Sequence, residues 1–371
     1  MAPLRWSPYV GFSLVLVVGG LSLQSTVVVL VQLLSLFLWP FSADAYYSYI
    51  ALTMRMWSQS LIAIVQLFAP SKLLVTFDDS CVRTAKADGT VVRTDVQDLV
   101  IRNKQGDIVG ISFPERIVVT ANHQIYGDWI YIWFIAYLAK AHGAMKILLK
   151  DSLKYIPFYG FRAKKISHPL WLVLFPEGTV ICDKMRQRSK EFAERNNMKD
   201  NQFTLLPRST GLNLCMSTLD DSVDWLYDLT IGYPGIKPGD NPEDVLTLKK
   251  IFFLGQYPSY IHIHIRRYPV KSIPKDSNGF SKWLFERWVE KDEKMVYFYK
   301  EGRLPGENEG ASHDMDAPLL GSANTFKIPI HLRHPVREIL QPWFFLLPYL
   351  PLAWLITSVF GLLYSYASAA Y

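Results

Sequence analysis

The chain has 371 residues, 50% of them hydrophobic, which suits one large domain or a domain with membrane segments. A formal net charge of +6 and an isoelectric point near 9.0 favour an anionic lipid surface or a phosphorylated substrate as partner. Nucleic acid is disfavoured because the basic residues are dispersed along the chain. The three cysteines fit neither a disulfide framework nor a paired metal motif, so we expect free thiols and no metal site.

An uncharged apolar stretch from Tyr9 to Leu38 lies near the start of the chain. It exceeds the roughly 20 residues that cross a hydrocarbon core and the apolar region of a cleaved signal peptide. We therefore predict a retained transmembrane anchor over residues 1–40. The next apolar stretch, Ala45 to Phe68, contains the single charged residue Arg55. It predicts an interfacial or buried helix, with a second membrane span as the alternative.

Residues 41–300 are predicted to form the main domain. The sequence from Leu73 to Phe77 predicts a short strand, and the charged residues and turns from Asp78 to Gly110 predict surface hairpins. Further along, short apolar runs alternate with helical patterns, which is typical of an α/β domain. These segments are Arg116–Thr120, Trp129–Ala141, Lys146–Leu149, Trp171–Phe175, Leu226–Ile231 and the helical Phe280–Tyr299.

The sequence after Glu301 is polar, acidic and contains Gly and Pro, which predicts a linker over residues 301–338. An uncharged stretch follows, so we assign residues 339–371 to a C-terminal membrane segment. Three prolines interrupt the first part of this stretch, and a re-entrant hairpin or an interfacial segment is therefore the alternative to a span. The basic residues that flank the apolar segments favour a cytoplasmic main domain by the positive-inside rule.

The segment "TANHQIYGDW" at 120–129 places His123 and Asp128 five positions apart, directly after an apolar strand. Residues with this spacing share neither a helix face nor a strand face, so their side chains meet only if the chain bends. Gly127 permits the bend, and Asp128 stands where a helix starting at Trp129 would take an N-cap. Asp128 would then accept a hydrogen bond from the Nδ1–H of His123 and leave Nε2 as a base. The alternative is a helix cap beside an inert histidine.

No serine or cysteine near this pair is an obvious nucleophile. The histidine would therefore activate a hydroxyl group of the substrate itself. A membrane hydrolase that uses the same histidine is a weaker alternative, because the sequence lacks the Gly-x-Ser-x-Gly elbow of such enzymes.

Three further blocks follow the His–Asp segment in chain order: "KYIPFYG" at 154–160, "LFPEGT" at 174–179 and "LLPRSTG" at 205–211. With "NHQIYGDW" they resemble the glycerolipid acyltransferase family, whose signature is a His followed by four residues and an Asp. Within that family the chain looks like the branch of lysocardiolipin and lysophosphatidylinositol acyltransferases. Four blocks in the right order are far more specific than any one of them.

The resemblance implies an α/β fold with an acyltransferase-type mixed sheet, flanking helices and terminal membrane segments. It implies transfer of an acyl group from acyl-CoA to the glycerol hydroxyl of a lysophospholipid, of the lysophosphatidylinositol, lysocardiolipin or lysophosphatidic acid type. Acyl-CoA would be the co-substrate, with no further cofactor, and the endoplasmic reticulum membrane would be the location. The alternative is a catalytically impaired lipid-binding membrane protein of the same fold.

The resemblance also implies roles for individual residues. His123 would be the general base, and Asp128 would orient and stabilise its imidazolium. Glu177, Gly178 and Thr179 would bind the polar head of the acceptor, the alternative being that Pro176 and Gly178 only form a turn. Arg208 would bind the acceptor phosphate or lie near the thioester.

The second block departs from the family pattern. The chain passes from "PFYGF" at 157–161 to "LWLVLF" at 170–175, with no room for a strand and a helix of ordinary length. The arginine that this block normally supplies for the acceptor phosphate has no secure counterpart, and Arg162 is the possible substitute. We therefore expect a poor reaction with anionic acceptors, unless the truncation is a gene-model error such as a skipped exon.

Overall fold

The computed structural model describes residues 12, 15–85, 90–148, 168–307, 324–344, 351, 354–355 and 357–361. The chain divides into two units, the first comprising Met1–Ile64 and His331–Tyr371 and the second Val65–Ile330. The truncated second block, Arg162 and most of the predicted C-terminal membrane segment lie outside the described residues.

Two apolar helices lie near the N-terminus, α1 (Val15–Leu38) and α2 (Ala43–Phe68), and all of α2 before Val65 belongs with α1 to the first unit. Both are long and apolar enough to cross a membrane, with mean hydropathies of 2.0 and 1.2. Trp57 Nε1 of α2 donates a hydrogen bond to Ser25 Oγ of α1 at 2.9 Å, which satisfies a polar group between apolar surfaces. By length and composition α2 is therefore a second candidate span, as the alternative prediction stated.

The second unit contains the strands and most of the remaining helices. The strands in chain order are β1 Lys72–Phe77, β2 Arg83–Ala85, β3 Val91–Arg93, β4 Val100–Arg102, β5 Ile108–Ile111, β6 Arg116–Ala121, β7 Met145–Ile147, β8 Leu170–Leu174, β9 Trp225–Gly232, β10 Tyr260–Pro269 and β11 Thr325–Pro329. The helices are α3 Asp128–Leu138, α4 Asp183–Arg195, α5 Ser209–Leu219, α6 Pro242–Val245, α7 Leu248–Phe253 and α8 Ser277–Glu301, and α9 Pro335–Phe344 lies in the first unit.

Seven strands form one mixed sheet in the order β11-β1-β10-β9-β6-β8-β7. Strand β6 pairs in parallel with both β8 and β9, whereas β9 and β10 are antiparallel. The carboxyl ends of β6, β8 and β9 therefore meet at one edge of the sheet, where α/β proteins bind ligands. This architecture confirms the predicted α/β mixed sheet, and the pairs β2–β3 and β4–β5 are the predicted hairpins.

The sheet core follows from the composition of its parallel strands. Strand β8 reads "LWLVL" and is buried along its whole length, as expected for a parallel strand covered on both faces. Helices α5 and α8 cover one face, where Leu212 and Trp288 belong to the same buried cluster as Leu172. Asp276 caps the start of α8 by accepting a hydrogen bond from Gly279 N, and Gly302 ends the helix with φ +70°.

Two strands were not predicted from the sequence. Strand β10 alternates isoleucine with His and Arg, which would indicate one solvent-facing side, yet Tyr260 to Arg266 are all buried. The polar side chains find partners inside the fold: His262 Nδ1 lies 2.8 Å from Glu307 Oε2, and Arg266 contacts Asp228. Strand β11 lies within the residues 301–338 that the sequence assigns to a linker, and it pairs with β1. Its local sequence does not predict a strand, because its pairing partner, β1, is distant in the chain.

Candidate active site

His123 follows strand β6 directly, and Asp128 is the first residue of α3. The intervening turn brings His123 Nδ1 to 2.9 Å from Asp128 Oδ2, so the predicted contact between the two side chains is present. The side chain of Asp128 is fully buried, and that of His123 is 15% exposed. No described residue bonds His123 Nε2, which leaves this nitrogen able to accept a proton.

The carboxylate of Asp128 is held from several directions. Its Oδ2 also accepts hydrogen bonds from Gln124 N at 2.7 Å and Ile125 N at 3.1 Å, and its Oδ1 accepts one from Tyr233 Oη at 2.5 Å. The prediction that Asp128 is an N-cap was wrong, since Gly127 occupies that position. The carboxylate instead folds back onto the turn that precedes the helix.

The imidazole ring of His123 stacks on Phe175, with ring centroids 4.3 Å apart and an interplanar angle of 24°. Phe175 is the residue after β8, so the parallel pairing of β6 and β8 brings the two rings together. The stacking restricts rotation of the imidazole and directs its free edge away from the Asp128 carboxylate. The histidine orientation is therefore determined by both a hydrogen bond and a ring contact.

The Phe-Pro-Glu-Gly turn after β8 encloses the side chain of one of its residues, Glu177. Glu177 is 2% exposed, and Trp288 Nε1 donates a hydrogen bond to its Oε1 at 3.2 Å. Burial raises the pKa of Glu177 to about 8, although Trp288 and the backbone N–H groups of Leu205 and His123 act in the opposite direction. Glu177 Oε2 is also buried and has no hydrogen-bonding partner among the described residues, and the acceptor-binding role of Glu177 stays a prediction.

Gly178, Thr179 and Arg208 lie on the outer side of the same turn. Gly178 is exposed and has φ +74°, which favours glycine at this position. The backbone N–H of Arg208 donates to Pro176 O at 2.7 Å, and the Arg208 side chain lies beside Gly178, 3.5 Å from where a Cβ would stand. Arg208 is exposed, and its guanidinium has no hydrogen-bonding partner among the described residues. It is thus a cation available to a ligand.

A buried ionic network lies beneath the sheet edge that carries the site. Asp228 Oδ1 lies 2.8 Å from Lys291 Nζ, and Oδ2 lies 2.8 Å from Arg266 Nε. Burial alone would raise the pKa of Asp228, but the charges of Lys291 and Arg266 lower it to about 2. Thr120 Oγ1, three residues before His123, donates to the same carboxylate at 2.9 Å. The network therefore ties the end of β6 to β9, β10 and α8.

Several residues around the site were missed by the sequence reasoning. Asn122 bonds both the N–H and the C=O of Ile231, which extends the β6–β9 pairing past the end of β6. Glu243 Oε2 accepts a hydrogen bond from Tyr126 N at 2.6 Å and stabilises the outer side of the turn between His123 and Asp128. The one local signal for Tyr233 was the "YPG" that closes the apolar strand β9. None of these contacts follows from spacing, because each joins segments more than 100 residues apart.

The described residues contain no group of three or more His, Cys, Asp or Glu side chains that could hold a metal ion. The groups that this edge of the sheet does present are an oriented imidazole, an adjacent buried carboxylate and an exposed guanidinium. Such a set can remove a proton from a bound hydroxyl group and attract an anion.

Comparison with known proteins gives two family-model matches. A model described as Acyltransferase matches residues 107–171, which include His123 and Asp128. A second model, described as Acyltransferase C-terminus, matches residues 252–326. These ranges contain β6, α3 and β10.

Three relatives illustrate the extent of the similarity. An uncharacterized acyltransferase of Schizosaccharomyces pombe is 32% identical to this chain, and the alignment covers 80% of this chain and 86% of the relative. The 2-acyl-1-lysophosphatidylinositol acyltransferase of Saccharomyces cerevisiae is 29% identical, with 83% and 85% covered. Lysocardiolipin acyltransferase 1 of Danio rerio is 29% identical, with 56% of each chain covered.

Proposed function

The chain belongs to the glycerolipid acyltransferase family, and from that premise we propose that it transfers a fatty acyl group from acyl-CoA to the free hydroxyl of a lysophospholipid at a membrane. The observation that carries the proposed chemistry is the 2.9 Å contact between His123 Nδ1 and Asp128 Oδ2. The acceptor class rests on the names of the relatives, one of which acts on 2-acyl-1-lysophosphatidylinositol.

In the proposed reaction, His123 Nε2 takes the proton of the acceptor hydroxyl as its oxygen attacks the thioester carbonyl of acyl-CoA. The Asp128 carboxylate holds Nδ1–H and stabilises the imidazolium that forms. The tetrahedral intermediate then collapses, the C–S bond breaks, and the departing thiolate takes the proton from Nε2. The products are the diacyl lipid and free CoA, and no acyl group becomes attached to the protein.

The direct test is acyl transfer by the purified full-length chain in detergent or in vesicles. Radiolabelled acyl-CoA would be offered with a panel of lysophospholipids that differ in head group. We expect labelled diacyl lipid with at least one acceptor and little CoA release without acceptor. Binding of lysophospholipid without any transfer would favour the impaired lipid-binding protein, and CoA release without acceptor would favour a thioesterase.

Arg208 is proposed to bind the acceptor phosphate, because its guanidinium is exposed, has no hydrogen-bonding partner in the described part of the chain and is adjacent to the Phe-Pro-Glu-Gly turn. We expect Arg208→Ala to raise KM for the lysophospholipid by about 10-fold or more, since hydrogen bonds to charged groups contribute roughly 1.5–3 kcal/mol. The kcat should change much less. Initial rates measured against acceptor concentration in mixed micelles would give both constants.

Arg188→Ala is the matched control for Arg208→Ala, because Arg188 is an exposed cation on α4 and its removal changes the net charge equally. An equal rise in KM for both variants would point to general attraction between protein and lipid surface. An unchanged KM in Arg208→Ala would remove Arg208 from the acceptor site.

Membrane attachment is proposed from the two candidate spans, α1 and α2. We expect the protein to remain in the membrane pellet after washing with alkaline carbonate, because a helix that crosses the bilayer is held by its buried apolar surface. Immunoblotting of pellet and supernatant would measure this. Deletion of residues 1–40 should increase the released fraction, and complete release of the full-length chain would contradict a membrane-spanning anchor.

A further inference from the structure

We propose that Tyr233 is a positioning residue that fixes the Asp128 carboxylate and thereby sets how strongly that carboxylate holds the His123 imidazolium. The effect on catalysis rests on the proposed function, whereas the contacts of Tyr233 are observed without any substrate. Tyr233 lies outside every motif that the sequence comparison with the family used. It reaches the site from the end of a different strand.

Tyr233 and Asp128 form a short contact in a closed environment. Tyr233 Oη donates a hydrogen bond to Asp128 Oδ1 at 2.5 Å, and the two residues are 1% and 0% exposed. The other oxygen, Oδ2, faces His123 Nδ1 and two backbone N–H groups. Both oxygens of the Asp128 carboxylate therefore have defined hydrogen-bonding partners. Rotation of the carboxylate away from His123 would break the bond to Tyr233 inside the protein, where water does not replace it.

The position of Tyr233 follows from the pairing of β6 with β9. Ala121 is the last partner on β6 and faces Leu229 on β9. Beyond that pair, the Asn122 side chain bonds the backbone of Ile231 on both sides, so the strand end stays in register with the catalytic turn. Tyr233 is two residues further along and enters the core beside α3. A slip of this register would move the hydroxyl away from Asp128.

The tyrosine remains a donor over the whole range in which histidine titrates. Burial raises the pKa of Tyr233 well above 10, and the charge of Asp128 adds to that effect. A neutral donor of this kind draws charge from the carboxylate without cancelling it, so Asp128 still attracts the imidazolium, but less strongly than an unbonded carboxylate would.

Other titratable groups face the turn between His123 and Asp128, and the experiment on Tyr233 must leave them unchanged. Glu243 lies outside the turn and interacts electrostatically with both His123 and Asp128. Tyr131 on α3 interacts with Asp128, and the carboxyl of Glu177 lies near the backbone N–H of His123. Burial raises the pKa values of Glu243, Tyr131 and Glu177. None of them bonds Asp128 Oδ1, which is the atom whose partner the experiment changes.

The test is Tyr233→Phe in the full-length chain, because phenylalanine removes the hydroxyl and keeps the ring. We expect kcat to fall by about 10-fold with KM for the lysophospholipid unchanged, since Tyr233 does not contact substrate in this proposal. The acid limb of the pH profile of kcat/KM should move to higher pH by about half a unit or more, because the carboxylate then holds the imidazolium proton more tightly. NMR titration of labelled histidine should show the same rise for His123.

Tyr131→Phe is the matched control. It also removes one hydroxyl from a buried tyrosine, and its ring centroid lies 6.0 Å from that of Tyr233, but the hydroxyl that donates to Asp128 Oδ1 is that of Tyr233. We expect this variant to keep the acid limb of the wild-type protein. A shift of equal size in both variants would reduce the role of Tyr233 to general packing and would overturn the proposal.

A second variant covers the case in which Tyr233→Phe does not fold. Site-specific replacement of Tyr233 by 3-fluorotyrosine keeps the shape and strengthens the donor, so the acid limb and the His123 pKa should move to lower pH. An unchanged His123 pKa in the variants that fold would overturn the proposal, whether or not activity falls. The NMR readout does not need turnover, and it therefore separates a failure of this inference from a failure of the proposed acyl transfer.

Discussion

Substitution of His123 by alanine is expected to lower kcat for acyl transfer by roughly 10²–10⁴-fold, the usual contribution of a positioned general base. The reason is that His123 Nε2 is the unengaged nitrogen of an imidazole already fixed by Asp128 and by stacking on Phe175. The thermal unfolding temperature should change little, since the His123 side chain is partly exposed and the buried Asp128 Oδ2 keeps its hydrogen bonds from Gln124 N and Ile125 N. Radiolabelled acyl transfer and circular dichroism in detergent would measure the two quantities.

Asp128→Asn tests the same dyad from its other side. Asparagine is neutral, so it would no longer stabilise the imidazolium that forms at His123 and should reduce kcat to a similar extent. His334→Ala is the control, because His334 is an exposed histidine in the other unit. Near-normal turnover by His123→Ala would contradict the assignment of His123 as the base. An unchanged rate in Asp128→Asn would leave Asp128 with a purely structural role.

Substitution of Asp228 by alanine is expected to produce the largest loss of stability, about 3–5 kcal/mol, because it leaves Lys291 and Arg266 without their buried counter-charge. Lys291 is fully buried, and burial already lowers its pKa to about 8 even with Asp228 present. A loss of this size should lower the melting temperature by roughly 10 °C. Thermal unfolding of the full-length chain in detergent would measure it.

The double variant Asp228→Ala with Lys291→Met should recover part of that loss, since methionine removes the uncompensated ammonium and keeps a long apolar side chain. Lys275→Ala is the control, because its ion pair with Asp220 is exposed, and we expect no measurable change. A melting temperature within a degree of wild type for Asp228→Ala would show that the network does not stabilise the fold.

The same carboxylate predicts a pH dependence. The pKa of Asp228 is about 2 in the folded protein, below its ordinary value near 4, so the folded state favours the ionised form. Its contribution is therefore fully present above about pH 4 and is lost as the pH falls toward about 2. Wild-type stability should decline over that interval more steeply than the stability of Asp228→Ala.

The sequence was sufficient where the information is local. His123 and Asp128 are five positions apart, and Gly127 between them permits a bend, so their contact could be expected without a structure. Strand β8 could be recognised because its apolar run reflects burial on both faces. The apolar lengths of α1 and α2 likewise follow from composition alone.

Local reasoning failed where a side chain has two chemically reasonable places. The sequence did not show that Trp288 of α8 would bond Glu177 of the Phe-Pro-Glu-Gly turn. Strand β10 carries His and Arg at positions that resemble a solvent face, but Glu307 and Asp228 pair with them inside. A charged residue is buried only where the folded protein supplies a partner of opposite charge or a hydrogen-bond donor. That partner can lie anywhere in the chain.

By itself the sequence determined the class of fold, the candidate membrane helices and the His–Asp pair, because periodicity, composition and short spacing act over a few residues. Only the tertiary structure decided which partners hold that pair. Tyr233 meets Asp128 across 105 positions, and Asn122 meets Ile231 across 109, through the register of β6 with β9. The physical reason is that a buried carboxylate needs donors on both oxygens, and the sheet can supply them from strands that are neighbours in space and remote in sequence.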